Sequence, residues 1–211
     1  MKNEIKNALA WRYATQVFDK DKKVSDDDIN TILESGRLAP SSYGIEAWKF
    51  LVIRNVALRT KLKEAGYGQL KITDASHLIV IARRTDVREN IVNERVARTA
   101  KIQHQTEESL SGLAEMINGR INAVSDEMLD AWVSAQTYIA LGVMIETASL
   151  LEIDNGPMEG FVPAQVDEIL GLKAKNLTAT TMLALGYRAE DQAAMRPKVR
   201  REFSDVVEFY N

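Results

Sequence analysis

Three short strand-forming runs are held apart by long stretches of helical periodicity, and this arrangement most limits what the chain can become. The runs are Phe50-Leu51-Val52-Ile53, His77-Leu78-Ile79-Val80-Ile81-Ala82 and Ala179-Thr180-Thr181-Met182-Leu183-Ala184-Leu185, the last stopped by Gly186. There is no internal repeat, no low-complexity run and no linker rich in Pro, Gly or Ser. One α+β domain covering residues 1–211 is therefore the economical expectation.

Helix signals fill the intervals. Residues 3 to 11 read as a short amphipathic helix. Ser25 is a suitable N-cap ahead of Asp26-Asp27-Asp28, whose charges favour a helix N-terminus. Ile29, Ile32, Leu33 and Leu38 continue that helix at its own spacing until Pro40 stops it. A helix over 56 to 65 ends near Gly66 and Gly68, and residues 86 to 119 read as polar and helical. A second long helix starts at Ser125 and carries Leu129, Trp132, Ala135, Ile139, Gly142, Ile145 and Ser149 along one side. Its small residues admit another backbone, either a helix of the same core or a second subunit. Pro163 starts a short helix that Gly171 ends.

Composition removes several classes of function. The 211 residues contain no cysteine, which excludes thiol nucleophiles, dithiol redox pairs and iron–sulfur ligation. A chain of this length buries about 70% of its unfolded surface and needs no covalent staple. Lys and Arg total 27 against 30 for Asp and Glu, a balance unsuited to broad capture of nucleic acid. The N-terminal residues lack a secretory apolar stretch, and no run approaches the roughly 20 uninterrupted apolar residues of a membrane span. A cytoplasmic protein with neither nucleic-acid nor membrane partners is expected. His77 and His104 are too far apart to suggest a metal pair, so no metal site is expected, and no Gly-x-Gly-x-x-Gly or Walker-type loop occurs.

The residues with chemical potential are scattered. Arg12 stands in Ala10-Trp11-Arg12-Tyr13-Ala14, and Pro40-Ser41-Ser42 forms a small polar turn. Lys71 ends Tyr67-Gly68-Gln69-Leu70-Lys71, just before Asp74-Ala75-Ser76-His77. Pro157-Met158-Glu159-Gly160-Phe161 and Arg196-Pro197-Lys198-Val199-Arg200 complete the set. In this order and at these separations the segments resemble the FMN-dependent nitroreductase family, which includes oxygen-insensitive NAD(P)H nitroreductases and dihydropteridine reductases.

The resemblance implies a central, mixed but mainly antiparallel sheet flanked by helices, with long helices at a homodimer interface. It assigns Arg12, beside Tyr13 and Ala14, to the cofactor phosphate together with Lys198 and Arg200. A compact dianion suits several guanidinium and ammonium donors. Lys71 falls to the N1–C2 edge of the flavin, where a cation stabilises the reduced form. Pro157, Glu159 and Gly160 fall to the N5 side, with Lys71, Glu159 and Gly160 nearest the chemistry and Glu159 making no direct proton transfer. Gly160 is expected to adopt a backbone geometry closed to other residues. Pro40, Ser41 and Ser42 would contact a flavin bound mainly by the other subunit.

Departures from the family pattern are local. Ala14 stands where serine is commoner, Glu46 and Ala47 replace Gln and Pro before Trp48, and Gly68 replaces an asparagine. Gln69, next to it, is expected to supply an amide in its place. Tyr67 and Tyr43 are expected as pocket walls, and residues 90 to 124 as its cover. The implied activity is ping-pong transfer of hydride from NAD(P)H through flavin N5 to small nitroaromatic or quinone acceptors. Alternatives are the same flavin serving dihydropteridine, enone or halogenated substrates, or a flavin-binding protein without turnover.

Overall fold

A computed structural model describes residues 1–210. Helix α1 (Lys2–Trp11) opens the chain, and α2 (Asp26–Arg37) follows, with Ser25 Oγ accepting from Asp28 N at 3.1 Å. Strand β1 (Trp48–Ile53) leads to α3 (Val56–Ala65), the one-turn helix α4 (Lys71–Asp74) and β2 (His77–Arg84). A π-helical turn (Val87–Ile91) runs into α5 (Val92–Gln103), and α6 (Ser111–Asn122) comes after it. The long α7 (Asp126–Leu150) is capped by Ser125 Oγ, which accepts from Met128 N at 3.3 Å. Then come β3 (Asp154–Met158), α8 (Pro163–Leu170) and β4 (Leu177–Gly186).

The four strands are ordered β1-β2-β4-β3, and every neighbouring pair is antiparallel. An isolated parallel bridge between Ala14 and Asn155 adds the segment after α1 to the β3 edge, so the sheet is mixed and mainly antiparallel. Side chains alternate between its faces. Leu78, Val80, Met182 and Ala184 pack with Leu62, Ile72 and Val166 beneath α3, α4 and α8. Ile79, Ile81, Leu183 and Leu185 meet Ile29, Ile32, Leu141 and Met144 of α2 and α7. A third cluster joins Val92, Val96, Ile117, Ile121, Leu129 and Val133 to Ile45 and Ala47.

Two elements differ from expectation. Strand β3 is spelled Asp-Asn-Gly-Pro-Met, residues of poor strand propensity. It forms because it is an edge, where Pro157 needs no donor on its open side. The 86 to 119 stretch is not one helix, since His104 turns left-handed (φ 55°) and ends α5 before α6 begins.

Helix α7 is long and apolar enough to cross a membrane by length and composition, with mean hydropathy 1.3 over its best window. Here it packs against α1, α2, β2, β3 and β4. Its buried side carries Leu129, Val133, Gln136, Ala140, Met144 and Ala148. Ala135, Ile139 and Gly142 face outward, and a Cβ placed on Gly142 would meet nothing within 4 Å. Of the small residues, Ala135 and Gly142 thus face away from the chain's own core, whereas Ser149 is buried within it.

Candidate functional site

Arg12 follows the last turn of α1, its backbone N–H donating to Ala8 O at 2.9 Å. Its guanidinium is half-buried, and Nε is buried without a partner. The C-terminal segment returns beside it, and Lys198 Nζ donates to Ala10 O. Burial, and then the neighbouring Arg200, lower the Arg12 pKa. Partial desolvation and the facing guanidiniums of Arg12, Arg200 and Arg188 lower that of Lys198. No carboxylate forms an ion pair with Arg12, Lys198 or Arg200 among the described residues, whereas Arg188 is matched by Asp154 (Nε to Oδ1 2.6 Å). Three cations held together without an anion form a receptor for one.

Tyr13 and Ala14 lie next to this cluster in sequence. The Tyr13 hydroxyl donates to Asp191 Oδ2 at 2.8 Å, and burial followed by that hydrogen bond pushes its pKa up to about 12. Ala14 is exposed at its bridge to Asn155.

Lys71 is the first residue of α4, which leads into β2, and is only 5% exposed. It has no ion-pair partner among the described residues, and desolvation lowers its pKa. Gly156 makes room for it: a Cβ there would lie 3.4 Å from Lys71 Cδ and 2.7 Å from Thr15 O. The turn into α4 needs two left-handed residues, Tyr67 (φ 55°) and Gly68 (φ 75°). The buried Arg59, which sequence reasoning missed, holds its far end. Its guanidinium donates to Ile72 O (2.7 Å), Ala75 O (2.6 Å) and Ser76 O (3.2 Å).

Beyond Pro157, paired with Leu183 in β3, the chain makes a three-residue turn in which Phe161 N donates to Glu159 O at 2.9 Å. Gly160, its centre, does not take the special backbone geometry expected of it. Its φ lies outside the left-handed region, and a Cβ would meet only Gln69 Nε2, at 3.6 Å. The Gln69 amide nitrogen is taken by Gly66 O (3.0 Å) and Gly160 O (2.7 Å). The Glu159 carboxylate accepts from the Tyr138 hydroxyl of α7. Gly160 N–H has no acceptor among the described residues.

Pro40, Ser41 and Ser42 do not join this group within one chain. Ser42 N donates to Gln136 Oε1 at 2.8 Å, and Ser41 Oγ accepts from Glu46 N at 2.9 Å. Glu46 pairs with Arg98 at 3.3 Å, which balances the charge that departs from the family pattern. Tyr43 packs edge-on against Trp132. Gln136 and Tyr138 lie about 160° apart around α7, so the two sets of residues flank it on opposite sides. A groove of about 1110 Å³ borders the Glu46 side, along β1, and not the Arg12–Lys71 group.

The arrangement offers an anion receptor, a buried unpaired ammonium and a free peptide N–H along one edge of the sheet. The chain is similar to several known proteins. A provisionally named NAD(P)H nitroreductase of Staphylococcus aureus is 41% identical over 217 residues, spanning 99% of this chain and 96% of its own length. The Bacillus subtilis protein YfkO, provisionally named likewise, is 38% identical over 220 residues, spanning 99% and 98%. A provisionally named nitroreductase of Exiguobacterium sibiricum, solved with FMN, shares the fold at TM-score 0.83 and 20% identity, spanning 98% and 97%. The nitroreductase family model matches residues 9–187, and the chain belongs to that family.

Proposed function

We propose that this protein is a homodimeric, FMN-dependent NAD(P)H oxidoreductase, one domain per subunit, acting in the cytoplasm. The observation that carries the reading is the convergence of Arg12, Lys198 and Arg200 with no paired carboxylate among the described residues, in which Arg12 Nε is buried and has no partner among them. This donor set fits the phosphate of FMN. Lys71 suits the polar edge of the ring, because an ammonium held in low dielectric favours negative charge beside it. Gly160 N–H, free of protein acceptors, presents a donor from the Glu159–Gly160 peptide. Pro157 stiffens the approach to that peptide, and Glu159, tied to Tyr138, orients it.

When bound, FMN supplies the centre that accepts hydride from NAD(P)H and passes it to a nitroaromatic or quinone acceptor in ping-pong fashion. The chain's own part is to bind, orient and charge-balance that centre. Lys71 remains a charge partner throughout and transfers no proton.

The homodimer rests on α7. Ala135, Ile139, Gly142 and Glu146 face outward between the Tyr138 and Gln136 flanks. Pairing two such stripes would bring Pro40, Ser41 and Ser42 of one subunit toward Glu159 and Gly160 of the other. Exposed apolar residues on the tail, Val199, Phe203 and Phe209 among them, offer further surface to cover.

An anaerobic titration tests the activity. The purified protein should be yellow, release FMN on denaturation, bleach with NADH or NADPH, and regain colour with a nitroaromatic or quinone. A colourless protein that ignores added FMN would overturn the reading.

A further inference from the structure

We infer that Gln69 is a positioning residue that ties the Gly160–Phe161 peptide to the loop carrying Lys71 and so fixes the turn that presents Gly160 N–H to the ligand. The inference rests on the flavin reading above and adds to it a residue that touches no cofactor.

Both hydrogen-bond partners of the Gln69 amide are carbonyl oxygens, Gly66 O at 3.0 Å and Gly160 O at 2.7 Å. Only the nitrogen end of an amide can satisfy two acceptors, so the orientation of the side chain is fixed by chemistry. Both of its donors are thereby used within the protein. The loop that delivers Gln69 is itself fixed, with Gly68 N donating to Lys63 O at 2.8 Å and Gln69 N to Gly66 O at 3.2 Å.

On the opposite side, Glu159 O is taken by Phe161 N and Gly160 O by Gln69. With both carbonyls of the turn engaged, the Glu159–Gly160 plane is held by Phe161 N and the Gly160–Phe161 plane by Gln69, so neither rotates without breaking a bond. The two predicted halves of the site, residues 68 to 71 and 157 to 160, are connected by this side chain.

Gln69→Glu keeps the shape and sets a carboxylate against two carbonyl oxygens, while Gln69→Ala removes the link. Gln69 is only partly buried on a surface loop, so both variants should fold with melting temperatures near that of the parent. In the apoprotein, the ¹³C carbonyl resonance of Gly160 should move in both. FMN affinity should change less than about threefold, because the phosphate cluster is untouched. The rate of flavin reduction at saturating NADH should fall roughly tenfold to a hundredfold with little change in KM, as expected when a reacting centre is displaced.

An unmoved Gly160 carbonyl would show that the contact does not exist in solution. A moved carbonyl with an unchanged reduction rate would show that the contact positions nothing, and a lost FMN affinity with a preserved rate would make Gln69 a binding residue instead. A parent protein that ignores FMN would sink the flavin reading and the role of the contact with it, while the carbonyl would still report whether the contact forms.

Discussion

Arg188 Nε donates to Asp154 Oδ1 at 2.6 Å, and this pairing sets Arg188 apart from the cations around it. Its guanidinium also lies over the rings of Trp11 and Tyr13, 4.3 and 4.7 Å from their centroids. Arg188 is therefore structural, stitching the end of β4 to the start of β3 and the segment after α1. Arg12, beside it in the fold, has no such partner, and its buried Nε is available to a ligand.

That distinction gives the first prediction. Arg12→Ala should weaken FMN binding roughly tenfold to a hundredfold, the scale of one charge-assisted hydrogen bond of about 1.5–3 kcal/mol. Riboflavin, which lacks the phosphate, should bind parent and variant alike. Fluorescence titration of both ligands decides the matter, and an equal loss for the two would remove Arg12 from the phosphate site.

Lys71 should act on potential more than on affinity. Lys71→Met takes away a buried ammonium whose pKa desolvation already lowers. The bound flavin should become harder to reduce by roughly 30–60 mV, about 1.4–2.8 kcal/mol for a two-electron couple. Lys198→Ala and Arg200→Ala should instead release FMN. Dye-equilibrated potentials on the three variants separate these roles, and equal losses of binding without any change of potential would refute the division.

Arg59 supports Lys71 from behind. Arg59→Ala strips the donors from three carbonyls and should destabilise the protein by roughly 3 kcal/mol. The expected fall in melting temperature is about 6–12 °C for a chain of this size. Arg59→Lys, which keeps the charge and fewer donors, should fall between the two in a calorimetric scan.

These residues show where sequence reading works and where it stops. Local chemistry was legible: Ser25 and Ser125 cap the helices expected of them, Pro163 starts one, and Gly171 ends it in a left-handed turn (φ 61°). Strand β3 was not legible, because its pairing with β4 and its edge position are tertiary facts that Asp154 to Met158 do not advertise. Arg59 reads as one more helix cation, and only the closure of α3 onto the turn after α4 turns it inward. The contact of Gln69 was not legible either, since the sequence does not show that its amide nitrogen lies 2.7 Å from Gly160 O. The family pattern brought Arg12, Lys198 and Arg200 into view; their mutual approach depends on the C-terminal segment folding back over α1.

Asp86 gives the stability a dependence on pH. Hydrogen bonds from Arg84 hold its pKa at about 2, and the Arg84–Asp86 pair joins the end of β2 to the π-helical turn. A carboxylate depressed from its ordinary 3.8 contributes about 2 kcal/mol when ionised. That contribution is complete above about pH 4 and disappears as the pH falls toward 2. Asp86→Asn should lose about 2 kcal/mol at pH 6 and much less at pH 2, as read from urea midpoints. An equal deficit at both values would assign the effect to packing.

The proposed dimer can be tested by a substitution that spares the single chain. A side chain added at Gly142 meets nothing within 4 Å, so Gly142→Glu should leave the fold of each subunit intact. In the paired state the same carboxylate would lie at the seam between two α7 helices, opposite its own copy, where burying like charges is strongly unfavourable. Light scattering should show the mass fall to that of one subunit, with the circular dichroism of the parent retained. FMN affinity should fall as well if, as proposed, Pro40, Ser41 and Ser42 complete the site from the second copy. A variant that stays dimeric would move the interface off this stripe. One that becomes monomeric yet binds FMN as before would show that a single subunit completes the site, and the Ser42–Gln136 flank would then need another purpose.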